Sequence, residues 1–135
     1  MLDEFDEFEK LFTKHGFKVP AWSGVGPGWF LILDELFTGL RAIGFTGQFG
    51  QVKEKFGMLR VYLGPGEADS DEVWKKASEL VRHAERASAT ICELCLGGVV
   101  GKLMRKGGLP GGWMMTLCDK CAVKLGYAVP PSDDD

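Results

Sequence analysis

Four cysteines, Cys92, Cys95, Cys118 and Cys121, are the residues of this 135-residue chain whose type and spacing point most directly to chemistry. They form two Cys-x2-Cys pairs with 22 residues between them. Two residues between cysteines let a tight turn aim both sulfurs at one ion, and a second pair about twenty residues on completes a tetrahedron. Thiolates are soft ligands, so four of them select zinc or iron over magnesium or calcium. Zinc is the expected ion and iron the alternative. Four protein ligands leave no position for water or substrate, which makes the expected role structural. A disulfide framework would need a secreted chain. A thioredoxin-type redox pair would explain one Cys-x-x-Cys but not a matched second one.

The rest of the chain offers little else for catalysis. Its two histidines, His15 and His83, fall on separate predicted helices. There is no Gly-x-Ser-x-Gly elbow and no phosphate-loop pattern. Residues 97–103 lack the histidine that an HNH-type nuclease finger needs, so no enzyme is expected. Binding is the alternative. Around a glycine-rich tip between the cysteine pairs stand Met104, Arg105, Lys106, Leu109 and Trp113, the expected partner-binding patch. In the competing reading Leu103, Trp113 and Met115 fold back over the metal site, as large apolar side chains usually do.

Composition bounds the partners. The net charge is -3, but residues 82–124 carry seven Lys/Arg against three Asp/Glu, or +4. An acidic body with a mildly basic finger does not match the domains of high pI that bind nucleic acid generally. A nucleic-acid partner therefore ranks second, through Arg82, Arg86, Lys102, Arg105, Lys106, Lys120 and Lys124. No apolar run approaches the ~20 residues that span a bilayer, so no membrane role is expected. The acidic start, unlike a signal peptide, suggests a reducing cytoplasm.

The remaining elements must carry this finger. Leu2, Phe5, Phe8 and Phe12 recur at helical spacing over residues 2–15 and predict an amphipathic helix packed on the core. Residues 16–28, rich in Gly and Pro, predict a connection pinned by Val19 and Trp22. Residues 27–43 form a second predicted helix, with Asp34 and Glu35 on its solvated face. Alternation over residues 58–63 predicts a β-hairpin across 45–63 that turns at 54–57. Its Lys53, Lys55 and Arg60 read as a cross-strand charge pattern with Glu54, with phosphate contact the minority reading. A long helix over 71–90, whose inner stripe includes Ala77, Ala84 and Ser88, leads straight into Cys92. The expected fold is α+β: a helix and hairpin body (1–90), a docked treble-clef-like zinc finger held by the four cysteines (91–127) and a disordered acidic tail (128–135).

Three stretches carry a resemblance: Lys-Glu-Lys-Phe-Gly-Met-Leu-Arg at 53–60, the helix end entering Cys92-Glu-Leu-Cys95, and Trp-Met-Met-Thr-Leu-Cys-Asp-Lys-Cys at 113–121. Across residues 28–122 the chain resembles small phage- and prophage-encoded proteins that pair such a hairpin with a four-cysteine zinc finger. The resemblance implies a metal at the four cysteines and no particular activity. Phage proteins of this size commonly disable host factors, so a host protein is the expected partner and the host cytoplasm the expected location.

Overall fold

A computed structural model describes residues 4–131. Leu2 and the aspartates of the predicted tail lie outside the described residues. The fold is α+β. Helix α1 (Glu4–Lys14) is followed by a long connection and a 3-10 turn (Pro27–Trp29) that opens α2 (Phe30–Ala42). Strands β1 (Gln48–Lys55) and β2 (Met58–Gly64) pair antiparallel, and α3 (Asp71–Ser88) packs across α2 and β2. The C-terminal module holds β3 (Lys102–Lys106), β4 (Met114–Leu117), α4 (Asp119–Leu125) and β5 (Tyr127–Ala128), its strands in a sheet of order β4-β3-β5. Ala128, assigned to the tail from sequence, pairs with Arg105 and belongs to this sheet.

The body core is aromatic. Phe12 of α1 meets Phe37 of α2 and Phe49 of β1, with centroids 4.7 and 5.3 Å apart, and Phe8 packs on Phe12 and on Phe30 of α2. The phenylalanine stripe is thus internal, apart from the exposed Phe5. Small residues let α3 come close. Ala77, Ala84 and Ser88 are buried, and Gly39 of α2 faces Leu80.

A two-stranded sheet has two exposed edges, which are hazards for aggregation. Here both are occupied. Along β2, the Leu59 amide donates to Ser88 Oγ and the Val61 amide to Glu85 Oε2. Along β1, the Val52 amide donates to Ser23 Oγ and the Val52 carbonyl accepts from the Gly24 amide. The loop expected to be pinned by Val19 and Trp22 is held instead by Val19 and by these backbone bonds. Trp22 is 93% exposed, at a φ of 58°.

Asp34 is not merely a solvated residue. His15 Nε2 lies 2.7 Å from its Oδ1, Lys14 Nζ bonds the same oxygen, and the half-buried His15 ring packs on Phe37. The His15 contact, followed by Lys14, holds the Asp34 carboxyl below its ordinary range despite partial burial. A depressed folded pKa stabilises above the unfolded value near 3.9, and that contribution disappears as pH falls through the folded value. Asp34→Asn should therefore cost about 0.5–1 kcal/mol at neutral pH, discounted for exposure. The gap between urea melts of the two proteins should narrow as pH falls from neutral through the acid range in which Asp34 takes up its proton. An equal gap across that range would contradict this role.

Candidate metal centre and its surroundings

The two cysteine pairs are positioned by different local devices. The amide of Cys92 donates to the Val99 carbonyl at 2.7 Å, closing the loop that carries the first pair. Ile91 and Val100 form an isolated bridge beside it. The β3–β4 hairpin then returns the chain. Cys118 is the N-cap of α4, and its sulfur accepts from the Cys121 amide at 3.5 Å. Cys121 sits in the first turn of that helix.

All four sulfurs lie within 4.8 Å of one another. Cys95 Sγ is 3.7 Å from Cys118 Sγ and 3.3 Å from Cys121 Sγ, and no cysteine is in a disulfide. A tetrahedral four-thiolate site with metal–sulfur bonds of about 2.3 Å has sulfur–sulfur edges of ~3.8 Å. The observed separations bracket that edge, so the four residues are compatible with a metal ion at their centre.

Electrostatics point the same way. The Cys121 amide, aided by nearby sulfurs, draws the Cys118 thiol down to about 7. Contact with Cys95, then burial, pushes Cys121 up to about 12. At Cys95 the Cys121 contact lowers the pKa, but Cys118 and burial together raise it overall. Sulfurs this close cannot all hold negative charge unaided. A divalent cation at their centre would supply the counter-charge and displace the thiol protons.

The module has its own small core, with Cys92, Met104, Leu117 and Ala122 buried. It is also docked on the body through polar bonds. Trp29 Nε1 donates to the Ile91 carbonyl at 2.9 Å, and the Gly28 amide to the Glu93 carbonyl at 2.7 Å. Thr116, fully buried, donates to the Gly57 carbonyl at 2.6 Å. Glu93 is buried at this seam. Its Oε2 accepts from the Gly26 amide, while its Oε1 has no hydrogen-bond partner among the described residues. Burial pushes its carboxyl above the ordinary range. No protein-family model matches the chain, and no curated protein or solved structure matches it either.

The expected partner patch is divided by the structure. Met104 is 3% exposed and belongs to the module core, which corrects its assignment to the binding surface. Strand alternation explains this: β3 buries Met104 and turns its neighbours outward. Arg105 is half-buried, with Nη1 donating to the Gly112 carbonyl. Lys106 is exposed; its Nζ donates to the Leu125 carbonyl and lies over the Tyr127 ring. Leu109 and Trp113 are exposed, Trp113 by 71%, so Trp113 does not fold back over the sulfurs. Leu103 is partly exposed beside Gly57, while Met115 packs on the module core.

Sequence reasoning missed a groove of about 390 Å³ at the seam. Glu54, Lys55 and Phe56 of the hairpin form one wall, and Arg105, Gly111, Gly112, Trp113 and Met114 the other. The hairpin turns on Phe56 and Gly57 alone, at φ of 54° and 80°. Two-residue hairpin loops with positive φ at both positions favour Asn or Gly. A phenylalanine there was the one available sequence signal.

Proposed function

We propose that this protein is a zinc-held binding module of the treble-clef kind, whose ion is a rivet and not a reaction centre. The convergence of all four sulfurs supports this reading. A four-coordinate ion among them is satisfied by protein alone and has no vacancy for water or substrate. Zinc suits four thiolates without a redox demand. The order of cysteine loop, hairpin, then ligand-bearing helix start is that of a treble clef. This reading asks no catalysis of the histidines: His15, just after α1, pairs with Asp34 of α2, and His83 is exposed on α3.

Recognition then falls to the surface. The tip, with Lys106, Leu109 and Trp113 exposed, is the reading's contact with a host protein, in keeping with a phage or prophage type of protein acting in the host cytoplasm. Affinity capture from host lysate should recover a stoichiometric protein, and Leu109→Ala should abolish the capture. Capture that survives Leu109→Ala combined with Lys106→Ala would move the contact elsewhere. A nucleic-acid partner is the second reading, and the basic outer face of the β1–β2 hairpin favours it.

A further inference from the structure

That hairpin carries features the fold does not use. From the Gln51↔Tyr62 pair onward, alternation places Gln51, Lys53 and Lys55 on one face, opposite Tyr62, Arg60 and Met58. Lys53 stands directly across from Arg60, and like charges so placed weaken strand pairing. Among the described residues none of the three cations has an ion-pair partner. The carboxylates that touch the hairpin are turned to backbone amides, Glu54 to Gly57 and Glu85 to Val61. The charge pattern with Glu54 expected from sequence is therefore absent, because Glu54 projects from the opposite face.

Lys55 continues this face into the seam groove. There Phe56 is 63% exposed and held at positive φ, a conformation that disfavours a side chain. Trp113 stands on the facing wall, with the Arg105 guanidinium beside it. Opposed like charges and a strained, exposed ring both cost stability. The cation–ring contacts here, Lys53 to Tyr62 at 5.9 Å and Lys55 to Phe56 at 5.5 Å, are long and solvated and offset little of it.

We propose that this face and the groove together bind a single strand of nucleic acid, with phosphates along Lys53, Arg60 and Lys55 and a base stacked between Phe56 and Trp113. A row of cations on one face suits a repeating anion; the one carboxylate lining the groove, Glu54, has its Oε2 bonded to the Gly57 amide, and aromatic platforms accept any base because every base has a π-face. A peptide added as a further strand is disfavoured, because both sheet edges are already bonded. The net charge of -3 gives no long-range attraction, so binding is local and limited by salt. This goes beyond the host-protein reading and shares only Trp113 with the tip.

The test is fluorescence anisotropy of the full-length, metal-loaded protein with a labelled oligothymidylate of about twenty nucleotides. Binding is expected at roughly 1–100 μM in low salt, with a log–log salt slope near -2 for three phosphates at about 0.7 each. Lys53→Ala with Arg60→Ala should weaken binding about tenfold or more and bring the slope to about -0.7. The same pair should melt no earlier than the parent, since a repulsion is removed. Trp113→Ala should weaken binding about tenfold and leave the slope unchanged. Leu109→Ala should leave oligonucleotide binding intact, which separates this face from the tip. No binding at about 100 μM protein, equal binding to poly-glutamate of similar length, or an unaffected Lys53/Arg60 variant would overturn the proposal.

Discussion

Cys118→Ser should release the metal and unfold residues 91–128, while the aromatic core of the body stays folded. Serine is a better N-cap than most residues, so α4 keeps its capping bond in the variant. The loss then reports on the ion and not on the helix start. Metal binding in small zinc modules contributes on the order of 10–16 kcal/mol to folding. The module's own buried cluster of Cys92, Met104, Leu117 and Ala122 is too small to replace that. The body core draws buried Phe and Leu side chains from α1, α2, β1 and β2 into one cluster around Trp29, and needs no ion. Amide exchange should show protection lost across β3, β4 and α4 but kept in α2 and β2. Retained protection in the module, with metal still bound, would contradict the rivet.

The second large effect lies at the seam. Gly28 is buried against the backbone entering the metal site, where an added Cβ would lie 1.9 Å from the Cys92 carbonyl oxygen and 2.6 Å from the Glu93 carbonyl carbon. Both neighbours are backbone and cannot swing away. Gly28→Ala must therefore push the module off the 3-10 turn. It would strain the Gly28–Glu93 and Trp29–Ile91 hydrogen bonds together. A cost of about 3 kcal/mol or more is expected, or roughly 10 °C in Tm. Gly24→Ala is the control, because a Cβ there meets nothing within 4 Å. Equal Tm values for the two variants would show that the docking geometry is wrong.

How much of this was legible in the sequence depended on the range of the cause. The cysteine spacing, the helical stripes and the strand alternation are local, and they indicated the convergence of the four cysteines, α2, α3 and the hairpin. The 3-10 start of α2 and the short Phe56-Gly57 turn are local as well but atypical. Polarity drew the expected turn to Glu54 and Lys55, which instead complete β1. Met104 was misplaced because residues 102–106 read as part of a loop tip, and only their pairing with β4 and β5 reveals which side chains face inward. Trp22 was expected inside on hydrophobicity alone, but the connection is anchored by Ser23 and Gly24, which leaves the indole outside. Asp34 was judged against Glu35, its neighbour in sequence, while its partners His15 and Lys14 come from the end of α1 and the residue after it. Cross-element partners of this kind, including Ser88 with Leu59 and Thr116 with Gly57, have no signature in a single chain.

Metal content is the most direct measurement. Protein purified under reducing conditions without added metal should carry one zinc ion per chain, and its four thiols should resist alkylation until a chelator is added. Metal-free protein that is fully folded, with Cys92, Cys95, Cys118 and Cys121 all open to alkylation, would contradict the account.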